Sequence, residues 1–214
     1  MKGDEMSLTE HYYTRFEEGN FYYVYNRSVD RKPMFKNEGN YEFFLQRYNK
    51  YLSPVLETYA FGLLINRFEL LVRVKNLTTF KELSNLNACE SEKNTHEIVS
   101  HQFRKFYQSY AMAFNKQHNR IGTLFQTPFK RAQVDKEYLA PLLYSIHANP
   151  QYLGLICDSK DWKWSSYNRI LNNIPSNLKK KEVMSWFGNK ENYEKFHSNM
   201  ENREIFGKFI LKDE

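Results

Sequence analysis

Glycine and proline are scarce, 8 and 6 in 214 residues, which excludes collagen-like and low-complexity chains. The two cysteines, Cys89 and Cys157, stand far apart without a CxxC neighbour. That excludes a disulfide scaffold, makes a cysteine metal site unexpected and suits two free thiols in a reducing cytoplasm. No run approaches the roughly 20 apolar residues of a membrane-spanning helix. The first twenty residues carry Asp4, Glu5, Glu10, Glu17 and Glu18 against Lys2 and Arg15, which is not the pattern of a signal peptide. Hydrophobic residues at 41% and charged ones at 26% are ordinary for one globular domain, or one with an appendage. Aromatics at 17%, with 16 Tyr and 17 Phe, are in excess. They read either as a large core or as a surface on which bases stack.

The formal net charge is +6, and its position says more than its size. Residues 100–136 hold Arg104, Lys105, Lys116, Arg120, Lys130, Arg131 and Lys136 against Asp135 alone, a surplus equal to that of the whole chain. Phe103, Phe106, Tyr107, Tyr110, Phe114, Phe125 and Phe129 thread the same segment. Cations and rings together suit a nucleic-acid strand; the alternative is a helix with a buried aromatic stripe and a wet cationic face.

Composition and periodicity predict a strand over residues 21–25, then a helix over 41–52 capped by Asn40 and stopped by Ser53-Pro54. Two strands follow at 55–65 and 68–74, and a polar loop or short helix at 78–94. An amphipathic helix covers 98–117, with apolar residues three and four apart. A strand is expected over 123–134 with Pro128 at an edge, and a helix over 136–148 ended by Asn149-Pro150. The order is that of an α+β, ferredoxin-like split βαβ domain with an antiparallel sheet and one added helix. Beyond it, the run Lys179-Lys180-Lys181 leads into helical stretches at 182–187 and 191–199. The expected division is an N-terminal extension at 1–20, a domain at 21–167 and a C-terminal helical extension at 168–214.

Several phrases resemble the REP-associated tyrosine transposases, the insertion-sequence-200-like, single-tyrosine group of HUH nucleases. They are Val24-Tyr25-Asn26-Arg27, Leu63-Leu64-Ile65-Asn66, Gly122-Thr123-Leu124-Phe125-Gln126 with Phe129-Lys130-Arg131, Ile146-His147-Ala148-Asn149-Pro150, and Trp164-Ser165-Ser166-Tyr167. They run in the family's order from about residue 21 to residue 167. The resemblance implies a ferredoxin-like domain that binds hairpin-forming single-stranded DNA and acts in DNA transposition and recombination. In that family a His-x-His pair on one strand face holds a divalent metal such as Mg²⁺ or Mn²⁺, which polarises the phosphate that a helical tyrosine attacks.

The sequence departs from that pattern at its chemical positions. Where the family has Pro-Asn-His-x-His, this chain has Ile65-Asn66-Arg67-Phe68-Glu69. A guanidinium has no lone pair for a metal, and Glu69 offers one carboxylate beside a positive charge. Counting back from Pro150 to the family's tyrosine gives Ser145, with Tyr144 one residue and about 100° of helix away. Asn149 matches an accessory metal-ligand position but is also suited to capping the helix end, as is His147.

The leading expectation is a transposase-derived DNA-binding protein without cleavage activity, lacking a cofactor and soluble in the cytoplasm. Its partner would be single-stranded or hairpin DNA, contacted by Arg67, Arg104, Lys105, Arg120, Lys130 and Arg131. A homodimer is left open. The second reading is an active nuclease with a rebuilt site: Tyr144 as nucleophile, and Glu69 with Asn149 or one of His101, His118 and His147 gathering a metal. The third is a decayed or purely structural protein. Across the former metal site, Arg67 and Glu69 are expected to form an ion pair.

Overall fold

The computed structural model describes residues 14–78 and 94–199; most of the expected loop at 78–94 lies outside them. Ten elements carry the fold: β1 (Phe21–Arg27), α1 (Glu38–Tyr51), β2 (Leu56–Leu63), β3 (Arg67–Val74), α2 (Thr95–Gln117), β4 (Lys130–Val134), α3 (Leu139–Tyr152), α4 (Tyr167–Leu171), α5 (Lys180–Phe187) and α6 (Lys190–Ser198). The strands form one sheet in the order β2-β3-β1-β4, every pair antiparallel. This is the ferredoxin-like topology that the element order implies. No described helix is long and apolar enough to cross a membrane.

Because successive strand residues point to opposite faces, the sheet separates two cores. Tyr22 and Val24 of β1 and Phe68, Leu70 and Val72 of β3 face α1 and α2, meeting Phe44, Phe103, Phe106 and Tyr110. Phe21 and Tyr23 of β1 and Leu71 of β3 face the other way, onto Leu142, Leu143 and Ile146 of α3. The aromatic excess is therefore mostly core. Phe103, Phe106, Tyr110, Phe114 and Phe125 are buried, and Tyr107 and Phe129 pack against the same cluster. Each ring pair adds about 0.5–1.5 kcal/mol beyond its buried area, which favours a closed core over a stacking surface.

Several boundaries differ from those the sequence predicts. Asn37, not Asn40, caps α1, its Oδ1 accepting from the Asn40 N–H at 3.1 Å. Asn40 lies inside the helix and donates to Gln117 Oε1 at 2.8 Å, tying α1 to α2. The fourth strand is short, 130–134, and residues 124–126 instead pair with the end of β1 through Val29 N–H to Leu124 O and Gln126 N–H to Arg27 O, both 2.9 Å. Phe16 is buried in the first core, and Val183 and Tyr193 in the second. The expected breaks at residues 20 and 167 are thus not breaks in packing. Lys179 of the lysine run pairs with Glu57 at 2.6 Å, while its N–H bonds Thr58 O and covers the edge of β2.

Helix α3 does not stop at Asn149-Pro150; it contains Pro150 and runs to Tyr152. Proline has no N–H for the carbonyl four residues back, here that of Ile146, and its ring crowds that carbonyl. The sheet accommodates this at Gly62, where an added Cβ would lie 2.9 Å from Ile146 O. Gly62→Ala is accordingly expected to push α3 off the sheet and cost about 1–3 kcal/mol. Urea denaturation measures this, and an unchanged midpoint would contradict the close approach.

Candidate functional site

Arg67 and Glu69 occupy alternate positions of β3 and point to the α3 face, as the period of a strand requires. Arg67 Nε lies 3.5 Å from Glu69 Oε1. The pair is buried, Glu69 to 1% exposure, and so differs from a surface bridge worth 0–1 kcal/mol: a buried carboxylate must be compensated or it destabilises the fold. The compensation comes from α3. Asn149 Nδ2 donates to both carboxylate oxygens, at 2.6 and 2.7 Å, and Asn149 Oδ1 accepts from Arg67 Nη2 at 3.3 Å. Asn149 is thus a bridge between helix and strand, not the helix cap that its place in the sequence suggests.

The donor set does not suit a divalent cation. The carboxylate meets an amide N–H on both oxygens and a guanidinium at its side, and Asn149 turns its nitrogen, not its oxygen, toward it. Among the described residues, no three His, Cys, Asp or Glu side chains gather in one place. Ser145 lies one turn before Asn149 on the same side of α3 and is buried. Tyr144 is buried as well, its ring against Phe196 and His197 of α6 at 6.0 and 5.7 Å. Five residues before Asn149 is about 140° round the helix, so Tyr144 is directed to α6 and not to the Glu69 side.

The histidines serve other purposes. His118 Nε2 lies 3.3 Å from Asn40 Oδ1, and His101 sits on α2. His147 is fully buried beneath α6, in a chain of hydrogen bonds. His197 Nδ1 faces the Tyr193 carbonyl at 2.8 Å, which can only accept, so that nitrogen carries the hydrogen. With His197 neutral, its Nε2 accepts from His147 Nδ1 at 3.0 Å, and Ser166 Oγ, which also lies 3.3 Å from Phe61 O, meets His147 Nε2 at 2.6 Å while accepting from the Phe61 N–H at 2.9 Å. This chain joins β2, α3, the start of α4 and α6 with both imidazoles neutral. Burial holds His197 down to about 4, from the usual 6.5; burial, then the neighbouring His197, holds His147 well below its usual range.

Sheet phase also divides the basic segment. Lys130 shares the α3 face, its ammonium 5.6 Å over the Tyr25 ring, and Tyr25 is paired with Glu69 across β1 and β3. Arg27, which the sequence reading passes over, lies opposite Arg67, with its Nε held by Gln126 Oε1 at 2.8 Å. Its two-residue spacing from Tyr23 and Tyr25 was the available signal. Arg131 points the other way. It is buried, donates to Thr14 O at 2.6 Å and lies over Phe16 and Phe129, so it supports the core and is withdrawn from any phosphate. Arg104 and Lys105 are exposed on α2, which covers the opposite face. Arg120 spends its guanidinium on its own loop, donating to Asn115 Oδ1 at 3.0 Å and Gly122 O at 3.2 Å. The face that gathers Arg27, Arg67 and Lys130 around Tyr25 and Glu69 is the candidate site. Burial first, and the charge of Glu69 second, raise the neighbouring Tyr23 hydroxyl well above its ordinary value.

No family model and no curated protein sequence matches the chain. A solved structure of a REP-associated tyrosine transposase bound to a REP hairpin is similar in fold, with a TM-score of 0.55 at 12% identity, covering 78% of this chain and 88% of that one.

Two measurements check the site. Asn149→Leu strips Glu69 of both amide bonds and is expected to cost about 2–4 kcal/mol. Replacing Arg67, Glu69 and Asn149 together with Met, Leu and Leu should restore most of that loss in urea titrations. For the histidine chain, a base held neutral in the fold binds fewer protons than in the unfolded chain, so stability is complete above about pH 6.5 and falls as pH drops toward 4. The parent should lose up to about 1.4 kcal/mol per pH unit more than His197→Phe in that window. Parallel curves would contradict the neutral assignment.

Proposed function

We propose that the chain binds nucleic acid through the α3 face of its sheet and does not cut it by the metal and tyrosine mechanism of the family it resembles. The observation that carries this is the Glu69 carboxylate, both of whose oxygens are taken by Asn149 while Arg67 lies beside it. A divalent metal would have to displace the amide from the carboxylate and sit beside the Arg67 charge. Beside this cluster lie Arg27 and Lys130, both partly exposed and on either side of the Tyr25 ring, suited to a backbone phosphate and a stacked base, while the buried Arg67 stays with Glu69 and Asn149. The protein whose fold it shares is bound to a hairpin, which makes a DNA hairpin the ligand to try. A role in the biology of transposition belongs to this reading as its origin.

The test is a gel-shift titration on a single-stranded DNA hairpin, a duplex and an RNA hairpin from 50 to 300 mM salt. The hairpin is expected to bind with an affinity that falls with salt, each phosphate contact contributing about −0.7 to the slope. Lys130→Gln should weaken binding for all sequences alike and flatten the slope by about one contact, whereas Lys105→Gln on the opposite face should leave the slope unchanged. Absence of binding to any probe at 50 mM salt would overturn the reading.

A further inference from the structure

The end of the sheet beside this face carries an unusual projection. Ile121 is 97% exposed, at the tip of a loop that is braced throughout. Arg120 donates to Asn115 Oδ1 and to the carbonyls of Gly122 and Thr123, and Asn115 Nδ2 donates to Gly122 O at 2.8 Å. Asn119 and Gly122 sit at φ of 49° and 92°, the left-handed region that costs a residue with a side chain. The adjoining turn holds Asp30 and Arg31 at φ of 58° and 54°. It is stitched to the loop by Val29 N–H to Leu124 O and to the β2–β3 turn by Asn66 Nδ2 to Arg31 O. Asp, Asn and Gly adopt that region readily, so Arg31 is the one residue of the four held against its preference.

A single exposed isoleucine is ordinary; one at the tip of a loop braced by its own side chains is not. Besides the loop-bracing Arg120, residues 29–36 and 115–123 contain Arg31, Lys32, Lys36 and Lys116 against Asp30, and Thr123 of the loop lines one cavity with Lys130, which favours phosphates there. The residues beside Ile121 that share its exposure, Asn119, Gly122 and Thr123, are polar or small. A protein partner would find no apolar patch there, whereas a base step accepts one side chain. β-branching fixes the side chain at χ1, so little freedom is lost on insertion.

We propose that Ile121 is a wedge that inserts at a base step of the bound hairpin, in the manner of apolar side chains that unstack and kink nucleic acid. This rests on the reading of the α3 face as a nucleic-acid surface. The loop sets the depth of the wedge, and the surrounding cations hold the backbone on either side of it.

The experiment uses the full chain and DNA hairpins with 2-aminopurine placed in turn at the stem end, the stem–loop junction and the loop. The parent should raise the fluorescence at one position, reporting an unstacked base. Ile121→Ser, which disturbs no packing, should abolish that rise and weaken binding about tenfold, while Ile121→Phe retains both. If the parent binds the hairpin but no position brightens, or if Ile121→Ser matches the parent in signal and affinity, the wedge is wrong and the nucleic-acid reading stands. If the parent binds no probe, both are wrong.

Discussion

Glu69 is the constraint around which the α3 half of the molecule is arranged. A carboxylate 1% exposed on a central strand is tolerable only with charge-assisted hydrogen bonds to meet it. Arg67 supplies a cation from the same strand and Asn149 supplies two N–H bonds from the helix above. Asn149 comes within 2.6 Å of the carboxylate from the turn of α3 that contains Pro150. Pro150 leaves the Ile146 carbonyl without its helical donor, and Gly62 leaves it room at the sheet. One buried charge thus connects a strand pair, a helix length and a glycine.

The split βαβ order was legible because each element is strongly patterned: a run of aromatic and β-branched residues in β1, apolar residues three and four apart in α2. Phe68 and Leu70 against Arg67 and Glu69 even reveal which residues share a face. What was not legible concerns partners distant in sequence. That Asn149 bonds Glu69 and not its own helix end depends on a separation of 80 residues. Asn40 looked like a cap because asparagine favours caps, but Asn37 was three residues nearer the loop and Asn40 found α2 instead. His147 looked like a helix-end histidine because nothing near it in the chain announces His197 or Ser166.

The basic segment teaches a related lesson. Counted along the sequence, seven cations between residues 100 and 136 look like one surface. In three dimensions a strand sends Lys130 and Arg131 to opposite faces, a helix carries Arg104 and Lys105 away behind the first core, and a loop consumes Arg120 in bracing itself. Arg27, far outside the segment, joins Arg67 and Lys130 because β1 lies between β3 and β4. Charge density in sequence thus does not tell which cations share a face.

The Arg67–Glu69–Asn149 cluster stands on the strand where the resembled family carries its paired histidines, and the proposed binding without cleavage rests on it. The most direct measurement is a denaturing gel of end-labelled single-stranded DNA hairpins incubated with the protein and Mg²⁺ or Mn²⁺, run beside a native gel of the same mixtures. The account predicts a shift on the native gel and no protease-sensitive covalent band on the denaturing one. A covalent DNA–protein band that is lost in Tyr144→Phe would contradict it.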